Sequence, residues 1–249
     1  MSAFALEHTN PPPALLIEPT VRRALEEDLG RAGDITTDAT IAEETNARAV
    51  IAAREPGVVS GLIAAEIAFK LIDSTIRLRP RAPDGCEVGK GSIIADIVGP
   101  ARGVLTAERV VLNFMGHLSG VATATHHLVK AVEGTKARII CTRKTLPGLR
   151  VLQKYAVRCG GGLNHRFGLD DAVLIKDNHI AAAGGIAAVM TALRGRIGPM
   201  VKIEIEVDTL DQLKEALENG ADAILLDNMS PAEMARAVKI TKEIGRAHV

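Results

Sequence analysis

The chain has 249 residues, of which 47% are hydrophobic but only 2% aromatic, and its formal net charge is zero. A chain of this length can bury a large aliphatic core in one large domain or two smaller ones. Electrical neutrality argues against a general nucleic-acid-binding protein, and no stretch has the roughly 18 uninterrupted apolar residues of a membrane span. The cysteines Cys86, Cys141 and Cys159 show no paired spacing, so we expect reduced thiols and a cytoplasmic protein.

The first hundred residues predict a compact α+β unit with a structural role. The N-terminus lacks the apolar run of a signal peptide and is interrupted by Pro11-Pro12-Pro13, so we expect its first dozen residues to be a mobile lead-in. Apolar residues at helical spacing predict helices at 19–29 and 61–72. Small polar residues predict a loop at 33–38. Short strands are predicted at 47–53, 57–60, 76–78 and 92–98.

A long helix is predicted from Thr106, with that residue as its N-cap. One face is apolar, and the other is polar or small and includes Arg109, Asn113 and His117. Two interpretations of the polar face stay open. The face is either solvated or in contact with another helix, or Arg109 reaches an active site, including that of a neighbouring subunit.

From residue 137 onwards, predicted strands and helices alternate. The strands are predicted at 138–141, 172–175, 202–207 and 223–226, and the helices that follow them at 149–159, 185–193, 210–219 and 231–242. This alternation predicts parallel strands with right-handed crossovers, in a barrel or an open α/β sheet.

Each of these strands carries ionisable groups at or near its carboxyl end, and in a parallel barrel those ends share one rim. In chain order the groups are Arg143 and Lys144, Lys176 and Asp177, Glu204 and Glu206, and Asp227. A solvated loop charge is the ordinary explanation for any one of them. Four strands that each carry such groups at the same end favour a common site.

The cationic residues predict an anion-binding site. Arg143, His165 and Arg166 offer planar donors that suit carboxylates, which arginine grips in a bidentate manner. Lys144 and Lys176 are point charges that suit phosphates. The substrate is therefore expected to carry several carboxylates, phosphate groups, or both.

The acidic residues predict a magnesium site. Glu204 and Glu206 point to the same face of their strand because side chains alternate along a strand. Together with Asp227 they offer the hard oxygen ligands that Mg²⁺ prefers, and the ion would be shared with substrate phosphates. A structural role for Glu204 is as plausible as ligation.

The chain also carries a series of longer motifs. The main ones are Gly33-Asp34-Ile35-Thr36-Thr37, Leu105-Thr106-Ala107-Glu108-Arg109, Thr142-Arg143-Lys144-Thr145, Pro147-Gly148-Leu149-Arg150, Lys154-Tyr155-Ala156-Val157, Asn164-His165-Arg166, Ile175-Lys176-Asp177-Asn178-His179, Glu204-Ile205-Glu206-Val207 and Leu226-Asp227-Asn228-Met229. In type and order they closely resemble the quinolinate phosphoribosyltransferase family over nearly the whole chain.

The resemblance implies a fold, a reaction and an assembly. The fold is α/β, with an N-terminal α/β sandwich at 1–117 and an incomplete α/β barrel at 118–249. The reaction joins quinolinate to phosphoribosyl pyrophosphate and releases pyrophosphate and CO₂, which leaves nicotinate mononucleotide for NAD biosynthesis. The assembly is a homodimer or a larger homo-oligomer.

The resemblance also implies roles for particular residues. The substrate-binding set consists of Arg109, Arg143, Lys144, His165, Arg166 and Lys176. The catalytic set consists of Lys144, Lys176, Glu206 and Asp227. Glu206 and Asp227 would hold Mg²⁺, and Arg109 would be shared across the interface between subunits.

The similarity ends near Lys242, whereas the family continues with further βα units and glycine-rich phosphate-binding turns. We therefore expect an exposed strand edge, reduced stability and weak or absent turnover in this chain. The residues at 244–249 match nothing in the family, and our hypothesis is that they derive from a translated sequencing adapter.

Two other functions stay open from the sequence. One is a paralogous enzyme with another carboxylated acceptor, such as the paralogue associated with molybdenum transport, which a substrate panel would distinguish. The other is an inactive fragment that only binds ligand, which Mg²⁺-dependent product formation would exclude.

Overall fold

The computed structural model describes residues 10–244, which divide after Phe167 into two compact units. Most of the expected N-terminal lead-in, and residues 245–249 with the adapter hypothesis, lie outside the described residues. The first unit contains α1 Ala14–Leu29, α2 Ile35–Thr40, β1 Asn46–Ala52, β2 Gly57–Val58, α3 Leu62–Ile72, β3 Arg77–Pro80, β4 Glu87–Val88, β5 Ile93–Pro100, α4 Ala101–Ala131 and α5 Arg150–Cys159.

An antiparallel sheet in the order β1-β5-β3 and the long helix α4 form the frame of the first unit. In the register of the sheet, Val50 of β1 lies opposite Asp96 of β5, and Leu78 of β3 lies opposite Ile97. β2 and β4 form a separate antiparallel pair. This arrangement leaves α4 as the longest element against which the other helices of the unit pack.

The core of the first unit is aliphatic, as the composition predicts. Ile17 and Val21 of α1, Ala68 of α3, and Val111 and Leu118 of α4 are all almost fully buried in one cluster. Burial of a side chain of the size of Ile or Leu contributes about 1.5–3 kcal/mol, so the cluster accounts for much of the stability of the unit. Within residues 10–244, no helix combines the length and the apolarity needed to cross a membrane.

The end of α5 lies very close to α4. A Cβ atom added at Gly160, which follows α5, would clash with the carbonyl oxygen of Ala122 and would lie 2.7 Å from Cβ of Thr125. Only a residue without a side chain fits this approach between the two helices.

The second unit is built from alternating strands and helices. It contains β6 Val173–Ile175, α6 Asp177–Ala183, α7 Ile186–Arg194, β7 Ile203–Val207, α8 Leu210–Glu218, β8 Ala223–Leu226 and α9 Pro231–Ile244. The three strands form a parallel sheet in the order β6-β7-β8. Its core includes Ile205, Val207, Leu213 and Leu217, none of which is exposed.

The predicted α/β class is confirmed, and most predicted elements are present with ends shifted by a few residues. Burial along β7 alternates, so Glu204 and Glu206 lie on the same face, opposite the buried Ile205. The predicted division between 117 and 118 stays a prediction. Helix α4 runs continuously through these positions, and the two compact units divide after Phe167.

The prediction of a strand at 138–141 was wrong. Only Ile140 pairs, in a single parallel bridge with Leu163. Beyond it the chain turns on itself, because the backbone N–H of Lys144 donates to Oγ1 of Thr142 at 3.0 Å. Local side-chain acceptors of this kind compete with the strand ladder.

The start of the long helix was also predicted wrongly. The helix begins at Ala101 directly after Pro100, and Thr106 lies inside it. Pro100 ends β5, and its fixed φ is compatible with the entry to a helix. The hydroxyl of Thr106 donates instead to Oδ2 of Asp34 at 3.1 Å.

The same aspartate explains why the predicted loop at 33–38 is largely helical. Asp34 is the N-cap of α2, and its Oδ1 accepts a hydrogen bond from the backbone N–H of Thr37 at 2.9 Å. The sequence carries this capping signal, but the density of small polar residues outweighed it in the prediction. The short elements β4 and α6 were not predicted.

Candidate active site

Two cationic segments of the first unit lie side by side. The first cationic loop, residues 141–145, follows the bridge at Ile140, and the second cationic loop, residues 164–167, follows Leu163. The two segments are joined by backbone hydrogen bonds of 3.0 Å from Cys141 N to Leu163 O and 2.8 Å from Leu163 N to Ile139 O. The structure thus brings together two parts of the predicted site that are separated by about twenty residues of sequence.

The first cationic loop carries Arg143 and Lys144. Arg143 is half-buried, and among the described residues its Nε has no hydrogen-bond partner. A buried N–H donor without an acceptor is costly, so a ligand that supplies the acceptor is favoured at this position. Lys144 is exposed, and His165 and Arg166 are half-buried on the second cationic loop.

Arg109 lies elsewhere in the first unit. It is exposed on α4 and lines a cavity of about 260 Å³ together with Asp34, Ile35 and Thr106. The residues that line this cavity do not include those of the two cationic loops. Among the described residues, no hydrogen bond or ion pair joins the Arg109 side chain to either cationic loop.

The predicted residues of the second unit come together at the carboxyl ends of its three strands. Lys176 follows β6, Glu206 lies near the end of β7, and Asp227 follows β8. Lys176 Nζ donates to Oε2 of Glu206 at 2.6 Å. This hydrogen bond is the largest cause of a raised pKa for Lys176, and the negative charges of Glu206 and Asp227 act in the same direction.

Glu206 and Asp227 are too few to form a metal site from protein ligands alone. Among residues 10–244, no group of three or more His, Cys, Asp or Glu side chains is placed to hold a metal ion. Glu206 and Asp227 lie on neighbouring strands, β7 and β8, and Glu204 is half-buried on the same face of β7 as Glu206. Two carboxylates completed by substrate oxygens match the way Mg²⁺ is usually bound.

A buried polar cluster in the first unit was not predicted. The hydroxyl of Tyr155 on α5 donates to Oδ2 of Asp84 at 2.9 Å, and the backbone N–H of Leu62 donates to Oδ1 at 3.2 Å. Burial raises the pKa of Asp84 despite these hydrogen bonds. Burial also raises the pKa of the neighbouring Cys159 thiol to about 11, so this buried cysteine is held in its neutral, unreactive form.

Two further cations near the site also went unassigned from the sequence. Arg150 and Lys154 of α5 both contact the two cationic loops. Their spacing of four residues places them on one side of a helix whose other side is apolar. That spacing is the one feature of the sequence that could have indicated a role for Arg150 and Lys154 near the site, but it is equally typical of a solvated helix face.

The fold and these groups define a class of protein. A mixed α/β chain with cations clustered on two adjacent loops of one unit, and a lysine beside two carboxylates at the ends of parallel strands in the other, has the features of enzymes that act on polyanionic small molecules.

Comparison with known proteins identifies the family. The sequence model for "Quinolinate phosphoribosyl transferase, C-terminal domain" matches residues 121–249, and that for the N-terminal domain matches residues 34–119. The chain belongs to the quinolinate phosphoribosyl transferase family. This assignment confirms the resemblance read from the motifs, and with it the predicted order of an N-terminal α/β domain and an incomplete barrel.

Named relatives and solved structures agree with this assignment. The nicotinate-nucleotide pyrophosphorylase [carboxylating] of Mycobacterium leprae is 48% identical over 214 residues, which cover 84% of this chain and 74% of the relative. The probable enzyme of Bacillus subtilis is 44% identical, with 86% and 74% covered. The NadC structure from Streptococcus pyogenes matches with a TM-score of 0.91 at 37% identity, covering 96% of this chain and 84% of that one.

Proposed function

We propose that this chain transfers the phosphoribosyl group of phosphoribosyl pyrophosphate to quinolinate and releases pyrophosphate and CO₂, giving nicotinate mononucleotide for NAD biosynthesis. The names of the relatives, nicotinate-nucleotide pyrophosphorylase [carboxylating], support this reaction. We place the reaction in the cytoplasm, which is compatible with the three free cysteines of the chain.

The observation that carries the proposal is the buried Nε of Arg143. It has no acceptor within the described structure, and it lies on a loop that runs beside the one bearing His165 and Arg166. Quinolinate is a pyridine with two adjacent carboxylates, and such a ligand supplies the planar oxygen pairs that guanidinium groups bind.

In the proposed reaction, the pyridine nitrogen attacks the anomeric carbon of the ribose while the bond from that carbon to the pyrophosphate oxygen breaks. The adjacent carboxylate then leaves as CO₂, its bonding electrons pass to the positively charged ring, and the ring carbon takes up a proton. Arg143, His165 and Arg166 hold the carboxylates, so that the ring nitrogen is oriented for the attack. No nucleophile from the protein is required.

Lys144 of the first cationic loop and the charged residues at the ends of strands β6–β8 have a different task. Lys144 and Lys176 contact the anionic groups of the substrates and stabilise the negative charge that builds up on the leaving pyrophosphate. The ordinary pKa of 10.5 already leaves Lys176 charged at neutral pH, and its hydrogen bond with Glu206 raises that pKa further. We propose Lys144, Lys176, Glu206 and Asp227 as the catalytic set.

We further propose that Glu206 and Asp227 hold Mg²⁺ jointly with the phosphoribosyl pyrophosphate. The donor chemistry fits this ion, because Mg²⁺ is usually bound by one or two carboxylates together with substrate phosphates. When bound, the ion supplies positive charge that neutralises the pyrophosphate as it departs.

The active assembly in this proposal is a homodimer or a larger homo-oligomer, in which Arg109 of the partner subunit completes each quinolinate site. This part of the proposal is supported by the position of Arg109, which is exposed and lies apart from the two cationic loops.

The test is formation of nicotinate mononucleotide by this chain from quinolinate and phosphoribosyl pyrophosphate, with Mg²⁺ and with EDTA, followed by liquid chromatography. We expect product with quinolinate and Mg²⁺ only. A panel that includes nicotinate and other pyridine carboxylates addresses the paralogous reaction. Absence of product with quinolinate at any Mg²⁺ concentration would sink the proposal.

A matched pair of variants tests the role of Arg143. Arg143→Gln is expected to raise the KM for quinolinate by about tenfold to a hundredfold, because a hydrogen bond to a charged group is lost. Arg54→Gln removes the same charge from an exposed turn and is expected to leave the KM unchanged. Equal KM values for the two variants would contradict the assignment of Arg143.

A further inference from the structure

Two cations of helix α5 each contact both cationic loops. Arg150 opens the helix, and its Nε donates to Oγ1 of Thr145 on the first cationic loop at 3.2 Å. Its Nη1 donates to the carbonyl oxygen of Phe167 on the second cationic loop at 3.0 Å. A single guanidinium group therefore ties the two loops to each other and to α5.

Lys154 repeats this pattern one helical turn further along. Its Nζ lies 2.9 Å from Sγ of Cys141 on the first cationic loop and 2.9 Å from the carbonyl oxygen of His165 on the second. The same atom lies 5.1 Å from the centre of the Phe167 ring. Lys154 contacts both loops from the inside, since only 1% of its surface is exposed.

Because Lys154 is buried, its amino group depends on these hydrogen bonds. Lysine is almost never fully buried unless it is paired, because the loss of hydration is unfavourable. An aliphatic residue at this position would fill the same space without that cost. The amino group of Lys154 therefore lies at a fully buried position, where its hydrogen bonds hold the first and the second cationic loop.

The contact points flank Arg143, Lys144 and Arg166, which bind substrate in the proposed function. Cys141 and Thr145 lie on either side of Arg143 and Lys144, and His165 and Phe167 lie on either side of Arg166. Each cationic loop is therefore held at both ends by the same pair of side chains. We define Arg150 and Lys154 as the α5 clamp.

We propose that the α5 clamp consists of positioning residues, which set the distance and the angle between the carboxylate-binding groups of the two cationic loops. This inference rests on the proposed function, since quinolinate is the ligand whose two carboxylates need that spacing. In this proposal, neither Arg150 nor Lys154 contacts substrate. Small displacements of binding groups have large effects on rate, so a loose clamp weakens quinolinate binding without removing any contact to it.

The main test replaces Lys154 by methionine, which keeps the length of the side chain but cannot donate a hydrogen bond. The control is Tyr155→Phe, which alters the neighbouring buried residue of the same helix and removes the hydrogen bond to Asp84 instead. The measurements are the KM values for both substrates, kcat, quinolinate binding by calorimetry and the melting temperature.

We expect Lys154→Met to raise the KM and the Kd for quinolinate by about tenfold or more, as for the loss of a hydrogen bond from a charged donor. The KM for phosphoribosyl pyrophosphate is expected to change less. Tyr155→Phe is expected to lower the melting temperature and to leave the KM for quinolinate unchanged. The inference is overturned if both variants raise that KM equally, or if neither does.

A second pair covers the case in which Lys154→Met does not fold. Arg150→Gln alters the half-buried member of the clamp, and Arg158→Gln makes the same charge change two turns along α5. In the described structure, no hydrogen bond joins the Arg158 side chain to either cationic loop. Arg150→Gln is expected to raise the KM for quinolinate by about threefold to tenfold. Equal KM values for Arg150→Gln and Arg158→Gln would refute the clamp.

The two proposals fail in distinguishable ways. If the wild type forms nicotinate mononucleotide and the clamp variants bind quinolinate as well as the controls do, the proposed function stands and the clamp is wrong. If the wild type neither turns over nor binds quinolinate, both are wrong, because the site that the clamp would position does not exist.

Discussion

Among single residues, Asp84 shows how burial changes the chemistry of a side chain. Its carboxylate accepts hydrogen bonds from Tyr155 and from the backbone of Leu62, yet loss of hydration outweighs them and raises its pKa. The folded protein therefore holds the proton of Asp84 more tightly than the unfolded chain does. The stability that results is complete at acid pH and is lost as the pH rises through the pKa of the folded state.

This gives a prediction for Asp84→Asn, which keeps an oxygen acceptor but cannot ionise. Starting from the ordinary pKa of 3.8 and moving towards neutral pH, the wild type is expected to lose stability relative to the variant. Urea unfolding of both proteins at several pH values between acid and neutral measures the difference. A difference in unfolding free energy that is constant with pH, or that changes in the opposite direction, would contradict the raised pKa.

Single residues of the site were predictable to an unequal degree. Arg143 was selected from the sequence because it follows a short apolar run, and His165 and Arg166 because they offer further planar donors for carboxylates. Lys154 was not, because a lysine at helical spacing is ordinarily solvated, and only its packing against Cys141 and His165 distinguishes it. The burial of a charged group is set by tertiary contacts, which local patterns do not contain.

At the scale of elements, hydrophobic periodicity was sufficient for α3, α5, α8 and most strands, since one face of each is buried. It failed where a local polar contact decides the conformation. The start of α4 depends on Pro100, the helix α2 on the cap at Asp34, and the short β-bridge of Ile140 on the turn that follows it. In each case a contact of one or two residues decides the local conformation, against the hydrophobic pattern of the neighbouring residues.

The cap of α2 can be tested directly. Asp34→Ala removes the acceptor for the Thr37 backbone and is expected to lower the free energy of unfolding by about 1 kcal/mol. Asp34→Ser keeps a capping oxygen and is expected to restore most of that loss. Chemical denaturation at neutral pH measures both. If alanine and serine have the same effect, capping is not the contribution of Asp34.

The close approach of α5 to α4 gives a second prediction for elements. Gly160→Ala would force its Cβ against the Ala122 carbonyl and within 2.7 Å of Thr125. Overpacking of this kind costs about 1–3 kcal/mol, so a fall in melting temperature is expected. Gly116→Ala serves as the control, because a Cβ atom at that position of α4 meets nothing within 4 Å. Equal melting temperatures would mean that the helices can separate without cost.

For the whole molecule, the proposed sharing of Arg109 between subunits can be tested by complementation. Arg109→Ala and Lys176→Ala are each expected to be inactive as homodimers. In a mixed dimer, one of the two sites receives an intact Arg109 and an intact Lys176. Equal mixing of the two variants, with subunit exchange, is therefore expected to restore about a quarter of the wild-type activity, since half of the dimers are mixed.

The activity of the mixture separates the two possibilities for Arg109. If Arg109 acted within its own chain, every site of every dimer would carry one of the two substitutions, and mixing would restore nothing. Light scattering on the same samples provides the mass of the assembly. Recovery that depends on mixing, together with a mass of two or more chains, supports the shared site.

The hydrogen bond between Tyr155 and Asp84 has a spectroscopic consequence. The chain contains no tryptophan and a single tyrosine, so its intrinsic fluorescence arises almost entirely from one phenol ring. That ring is buried on α5, where its hydroxyl donates a hydrogen bond to the carboxylate of Asp84. Because α5 also carries Arg150 and Lys154, tyrosine emission from the unlabelled protein reports on the helix that holds the two cationic loops.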